Sequence, residues 1–482
     1  VNWALALLSA ALLALSFPRY NLFWLAPVAL APLIIATARE RRPGRRFLMG
    51  WSAGIVYWFT VCNWIQSTIQ QHGGMSAAAA WFCFMLFCLA KALQMGAFAW
   101  LAGWTMRWRL AIPSTAALWV LIEYTHGYLG FEWLNLGNAA IDMGLPIRLA
   151  SITGVWGISF LFAAIAADLS NFALRRPGIP FLGIGLIPLL WLLPGVPAVH
   201  AAPERATLVQ PNIDETEIFT SQSFRNLVQR MDALSVAAPS KLLVWPESPA
   251  PFYDNDPQFM AFLESIAKAG DQLFLVGLIG HGEDGVDRNS AALIDEHGRV
   301  VSRYDKVNLV PFGEFVPWPL GPIAFKISKE AGDFRAGTEQ VVSSVDRHNV
   351  ATFICYESVF PRFISRFVKD GAEVLINPSN DGWFAKTAAR YQHLEIVRMR
   401  AAENRRWILR ATNDGISAAI DDVGRVRQEL PLYREASQVV GFAYEKQLTF
   451  YTRWGDWFVW FCGGLLAAAW ISHAGLPAHR HP

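Results

Sequence analysis

The sequence predicts a multi-span α-helical membrane bundle, followed by an α/β globular domain and closed by one more membrane helix. Three observations carry this. Hydrophobic residues fill 53% of the 482 positions, with 21 Trp and 32 Phe, and charged residues only 17%, where a soluble chain carries about a quarter charged. The apolar excess lies before residue 199 and after residue 454. Between these limits the charge content is ordinary, and short apolar runs interleave with helical patterns. The formal net charge of +2 gives no sign of a nucleic-acid partner.

A bilayer crossing needs roughly 20 mostly apolar residues. The candidates are 3–17, 21–38, 48–69, 77–103, 110–128, 147–168 and 178–196, then 455–475. The expected organisation is a bundle of about seven spans in residues 1–200, a globular domain in 204–450 and a closing span in 455–475. The first stretch lacks a basic start and runs directly into further apolar spans, so it reads as a span and not as a secretory signal. Arg39, Arg41, Arg42, Arg45 and Arg46 follow the second span, Arg107 and Arg109 the fourth, and Arg175 and Arg176 the sixth. These are alternate loops, and positive loops stay cytoplasmic. The globular domain then lies on the opposite face, which in a bacterial inner membrane is the periplasm, and Arg480 ends inside. Glu123 and His126 sit near the outer end of the fifth span. Intramembrane ionisable groups are functional candidates, with interfacial solvation equally open. "GFEWLNLGNAA" (130–140) reads as an interfacial loop close to the site.

Within 204–450, "ATLVQPN", "KLLVWPES", "QLFLVGLIG", "HNVATFICYE" and "AEVLINPSN" are near-continuous apolar runs ending in polar residues. Such runs suit central strands covered on both faces. "AALIDEHGRVVSRY" and "SAAIDDVGRVRQEL" read as hairpins. Helical patterns fall at 216–236, 256–269, 360–370 and 387–406. Together they predict a layered α/β sandwich with a mixed sheet. No internal repeat is visible.

Three polar residues stand at or near strand ends: Glu247, Lys306 and Cys355. Of the five cysteines, Cys62, Cys83, Cys88 and Cys462 lie in predicted spans, so Cys355 has no disulfide partner in its own domain. A lone thiol there is either core filling or a nucleophile. A carboxylate that takes and returns its proton, with an ammonium that stabilises thiolate and oxyanion, completes an acyl-transfer set. The ten histidines show no metal-ligand spacing, and no phosphate-cradling Gly-Lys-Ser/Thr loop is present. Neither a metal nor another cofactor is expected.

The runs "VWPESP" (244–249), "YDKVNLVPFGEFVP" (304–317), "ICYESVFP" (354–361) and "NPSNDGWF" (377–384) resemble the Glu–Lys–Cys triad motifs of the carbon–nitrogen hydrolase (nitrilase) superfamily. With the flanking spans, the whole chain resembles that superfamily's membrane branch, the apolipoprotein N-acyltransferase family. The resemblance implies an αββα sandwich, with Cys355 as nucleophile, Glu247 as general base and acid, and Lys306 as oxyanion stabiliser. It also implies a second oxyanion donor in the Tyr356 backbone N–H, and supporting roles for Glu314 and Glu357. Trp245, Trp318 and Trp383 are candidate substrate-binding or lid residues, Trp318 dipping into the outer leaflet. The implied partners are a phospholipid acyl donor, of which phosphatidylethanolamine is the expected one, a diacylated apolipoprotein acceptor and membrane lipids, with the enzyme monomeric. The alternative is a membrane-tethered amidase using water as acceptor.

Overall fold

The structure is a computed structural model and describes residues 1–128, 130–176, 182–196, 201–214, 220–238, 240–311, 313–315 and 334–474. The chain divides into two compact units. One comprises residues 1–66, 77–196 and 454–482, and the other residues 67–76 and 197–453.

The described part of the first unit is helical. Its longer helices are Asn2–Leu15, Pro43–Val61, Ala77–Thr105, Ala111–Tyr128, Val155–Ala173 and Trp457–Ala474. Three of them, Ala77–Thr105, Val155–Ala173 and Trp457–Ala474, are long and apolar enough to cross a membrane. Several of the expected spans are interrupted. Stretch 21–38 begins as a 3-10 turn containing Pro27 and becomes the helix Ala31–Arg39 only afterwards. Stretch 147–168 breaks at Gly154, whose φ is 64°. The described part of 178–196 holds only the short turns Leu186–Leu189 and Leu190–Leu192. Pro43–Val61 packs along Ala77–Thr105. A Cβ at Gly54 would lie 2.9 Å from Ala92, and one at Gly50 would collide with Ala99. This is close packing of small residues, as helices use in lipid. The closing helix is tied in by Asp456, which accepts from Trp156 Nε1 at 3.0 Å and from the Tyr124 hydroxyl at 3.3 Å.

Segment 130–140, expected at an interface, is instead folded inside this unit. Trp133, Leu136 and Ala140 are buried. Two buried polar side chains pin it there, Lys91 donating to the Phe131 carbonyl at 3.0 Å and Glu123 Oε1 accepting from Leu136 N at 2.5 Å. Glu123 is therefore a buried anchor and not an interfacially solvated group.

The second unit is a sandwich of two six-stranded sheets. In chain order its strands are β1 (Glu204–Gln210), β2 (Leu242–Val244), β3 (Leu273–His281), β4 (Asp287–Ile294), β5 (Val300–Asp305), β6 (Val342–Val345), β7 (His348–Thr352), β8 (Val374–Ser379), β9 (Ile408–Thr412), β10 (Ala418–Ile420), β11 (Val426–Glu429) and β12 (Ala436–Phe442). The sheet orders are β12-β1-β2-β3-β4-β5 and β11-β10-β9-β8-β7-β6. Each sheet has three parallel strands, β1-β2-β3 or β7-β8-β9, extended by an antiparallel meander. The same topology thus occurs twice, although no repeat shows in the sequence. Both expected hairpins form, as β4–β5 and β10–β11.

Alternation along each strand sets the layers. Leu242 and Val244 join Leu208, Val350, Leu375 and Leu409 in a core that draws on both sheets. Leu243 and Trp245 turn to the other side, where helices Ser221–Val236 and Pro257–Gly270 supply Leu227, Met231, Leu263 and Ile266. Helices Pro361–Lys369 and Ala389–Asn404 pack with the second sheet.

Candidate active site

The second unit brings the expected Glu and Lys together at the strand ends. Pro246 stops β2, and Glu247 follows, 6% exposed. Lys306, 1% exposed, follows β5. Its Nζ donates to Glu247 Oε1 at 3.0 Å and to Glu314 Oε1 at 2.9 Å. Asn289, on β4, donates from Nδ2 to the same two oxygens at 2.7 and 2.6 Å. Two buried carboxylates thus share one ammonium and one amide. Glu314 Oε2 is held by Val310 N at 2.8 Å. Among the described residues Glu247 Oε2 is buried and meets no donor, so it keeps a lone pair free for a proton. Burial alone would lower Lys306, but Glu247 and Glu314 hold its pKa well above the ordinary lysine range.

Cys355 begins the short turn Cys355–Val359 beyond β7, with φ at 49°. A non-glycine residue in that region is strained and persists only where its surroundings hold it. Two sets of contacts do so. Glu357, fully buried, accepts from Ile354 N at 2.7 Å through Oε2. Its Oε1 accepts from the Tyr304 hydroxyl at 2.7 Å, Val307 N at 2.8 Å and Asn308 N at 3.0 Å. One carboxylate therefore ties the turn that carries Cys355 to the strand end that carries Lys306. Burial raises the pKa of Glu357 to about 7 against these hydrogen bonds.

The second set is a buried charge network. Arg410, on β9, donates to both oxygens of Asp381 at 2.8 and 2.9 Å, to Ser379 Oγ at 3.0 Å and to Asn377 Oδ1. His393 places Nε2 3.1 Å from the Cys355 carbonyl and 3.0 Å from Ser358 Oγ, with Nδ1 3.1 Å from Arg410 Nη2. A carbonyl only accepts, so Nε2 carries a proton, while Nδ1 lies between the Asp381 carboxylate, 3.0 Å away, and the Arg410 guanidinium. Burial and the charge of Arg410 lower His393 below its ordinary range, against the opposing effect of Asp381. Burial would raise Asp381, but Arg410 and His393 hold it well below the usual carboxylate range.

Burial and the charge of Glu247 push the Cys355 thiol well above its usual pKa, against the opposing effects of Lys306 and of the Asn380 backbone N–H bonded to the sulfur. The resting site thus holds a thiol beside a carboxylate, not a preformed thiolate. This arrangement suits proton transfer concerted with attack. Among the described residues no cluster of three or more His, Cys, Asp or Glu is placed to hold a metal.

The aromatic candidates separate. Trp245 is fully buried, donating Nε1 to Ser235 at 2.9 Å. It is a core residue on the helix side of the first sheet, not a substrate-contacting one. Trp383 packs at a tilt against His72 with ring centroids 4.5 Å apart, and its carbonyl accepts from Thr68 at 2.8 Å. Trp318 lies outside the described residues. Sequence reasoning missed Asn289, His393, Asp381 and Arg410. "NPSNDGWF" contains Asp381, and only its Trp was singled out.

The two sheets with helices outside them form a nitrilase-like αββα sandwich, with a thiol, two carboxylates and an ammonium at its strand ends. The profile described as Apolipoprotein N-acyltransferase N-terminal domain matches residues 9–167, and that described as Carbon-nitrogen hydrolase matches residues 205–440. An apolipoprotein N-acyltransferase of Geobacter metallireducens is 34% identical over 97% of this chain and 95% of its own. One of Azotobacter vinelandii is 32% identical over 94% of this chain and 91% of its own. Among solved structures, an amidase from Nesterenkonia sp. is similar over 51% of this chain and 93% of its own, at 19% identity and a TM-score of 0.39. The chain belongs to the apolipoprotein N-acyltransferase family.

Proposed function

We propose that this chain moves a fatty acyl group from a phospholipid, through a thioester on Cys355, to the α-amine of the diacylglyceryl-cysteine that begins an apolipoprotein. The observation that supports it most is Glu247. Its Oε1 is held by Lys306 and Asn289 while Oε2 is left free of donors beside a protonated thiol. In the first half-reaction Oε2 takes the Cys355 proton as sulfur attacks the ester carbonyl. Lys306 and the Tyr356 backbone N–H stabilise the oxyanion. The C–O bond then breaks, and Glu247 returns the proton to the departing glycerol oxygen, releasing a lysophospholipid. In the second, the amine nitrogen attacks the thioester, Glu247 takes a proton from it, the C–S bond breaks and the thiol is restored. An α-amine, with a pKa near ~8 against ~10.4 for lysine, is more often neutral and nucleophilic near pH 7. Phosphatidylethanolamine is the proposed donor.

The proposed setting is a bacterial inner membrane, crossed several times by the helical unit, with the sandwich in the periplasm. Three helices of crossing length support it, as do Trp460, Phe461, Trp470 and Ile471 exposed on the closing helix. The basic turns also gather at one end of the helical unit: Arg176 donates to the Ala38 carbonyl at 3.3 Å and to the Met106 carbonyl.

The test is mass spectrometry of the full chain after exposure to phospholipid alone. One fatty acyl group on Cys355 is expected, with lysophospholipid release and amide formation both abolished in Cys355→Ala. Lysophospholipid released by Cys355→Ala at the parental rate would sink the covalent scheme. Free fatty acid in place of acylated amine, with a diacylated peptide present, would favour water as acceptor.

A further inference from the structure

Away from the acyl-transfer chemistry, the helical unit carries a second concentration of charge. The ends of Ala31–Arg39, Ala77–Thr105 and Val155–Ala173 meet through Arg176, which reaches both Ala38 and Met106. A cleft of about 290 Å³ opens there. Arg107, Arg109 and Arg176 form its polar wall, and Trp108, Leu110 and Leu182 its apolar wall. It also takes in the first residues of helix Ala111–Tyr128, whose N-terminal end carries positive dipole charge. Among the described residues no carboxylate lines it.

The independent observation is Arg46. Its side chain is fully buried, and its Nε donates to the Glu40 carbonyl at 2.8 Å. Among the described residues its Nη1 and Nη2 are enclosed and meet no acceptor. It feels the charges of Arg107 and Arg176, which line the cleft. Among the described residues the carboxylate whose charge reaches it is that of Glu40, and that side chain accepts from Arg42 N at 2.9 Å. An enclosed guanidinium near further arginines without a paired acid is strongly unfavourable, so this end of the helical unit carries uncompensated positive charge close to the cleft. A basic pocket between membrane helices, with an apolar wall beside its charges, matches the chemistry of an anionic lipid headgroup.

We propose that this cleft binds the phosphate diester of an anionic phospholipid, held by Arg107, Arg109 and Arg176, with the apolar wall against the start of its acyl chains. The site is distinct from the acyl donor site and does not depend on the acyl-transfer reading.

The test uses the detergent-solubilised full chain, read by native mass spectrometry and thermal denaturation. Three additions are compared: phosphatidylglycerol, phosphatidylethanolamine and inorganic phosphate. One phosphatidylglycerol retained per chain with a raised Tm is expected, and neither effect with phosphatidylethanolamine. Arg107→Gln with Arg109→Gln, both on exposed side chains, should weaken retention on the order of thirtyfold, at about 1 kcal/mol for each charge. Acyl transfer by that double variant should stay at the parental rate. Arg176→Gln, which removes a guanidinium that lines the cleft, is the second variant. It should abolish the lipid-dependent rise in Tm whether or not it changes the Tm without lipid. Equal retention of the two lipids, or undiminished phosphatidylglycerol retention by the double variant, would overturn the proposal. So would inorganic phosphate giving the full Tm rise without lipid, which would make the occupant a free phosphate.

Discussion

Replacing Glu357 by Gln separates the stability of the fold from the placement of its thiol. The Glu357 carboxylate accepts four hydrogen bonds, three at Oε1 and one at Oε2. A glutamine keeps one accepting oxygen. Placed at the Oε1 position it preserves three of the four and sets its NH₂ against the Ile354 N–H, donor facing donor. The lost bond to a charged acceptor, with the buried N–H it strands, costs about 1.5–3 kcal/mol. Against this, the variant no longer holds a buried charge. With Glu357 at about 7 and its ordinary value 4.5, holding that charge costs about 3 kcal/mol above neutral pH. The two effects nearly cancel for the fold. They do not cancel at the site, because the released N–H belongs to the residue before Cys355 and that cysteine sits at φ 49°. Small misplacement of a nucleophile costs about 10²-fold in rate. Expected, then, is a Tm within a few degrees of the parent, with single-turnover acylation of Cys355 by phospholipid slowed by about 10²-fold. Acylation at the parental rate would refute the positioning argument. Activity lost only in proportion to an unfolded fraction would refute it equally.

Gly277→Ala on β3 would put a Cβ 2.7 Å from Ser248 N and 2.9 Å from Glu247 Cα, and closer still to the Pro246 carbonyl oxygen. The Glu247 backbone must move, so acylation should fall by about 10²-fold or more, while labelling of Cys355 by a small thiol reagent persists. Asp381→Asn leaves Arg410 buried without its anion, a loss of about 3–5 kcal/mol, and Tm should drop well beyond the change in Glu357→Gln. Stability should also carry a pH signature from Glu357. Its folded value of about 7 lies above 4.5, so the folded state holds the proton more tightly. That contribution is full below about 4.5 and is lost as pH rises through about 7. The parent-minus-Glu357→Gln difference in Tm should therefore fall across that window, and a flat difference would remove burial as the cause.

How much of this was readable in the sequence depended on whether a residue's partner was local. Strands β2, β3, β7 and β8 announced themselves because they are buried on both faces and so nearly all apolar. Their ends then pointed to Glu247 and Cys355. Strand β9 did not, because Arg410 sits at the centre of "ILRAT" and an arginine argues against a buried strand. It is tolerated only because Asp381, Asn377 and Ser379 arrive from another part of the chain to satisfy it. The same holds for Asn289, one polar position in a hairpin whose register alone aims it at two carboxylates. Trp245 failed in the opposite sense. Its neighbourhood suggested a site residue, yet period-two alternation pairs it with Leu243 on the helix side, and Pro246 interrupts the strand before Glu247. Two of the expected spans depart from a continuous helix at single residues, Pro27 and Gly154, which hydropathy alone runs through. Apolar burial is thus legible along the chain because it repeats with a period. A buried charge is legible only with its counter-charge, and for Arg410 and Asp381 the two lie in different strands and turns, so only the folded chain shows why either is there.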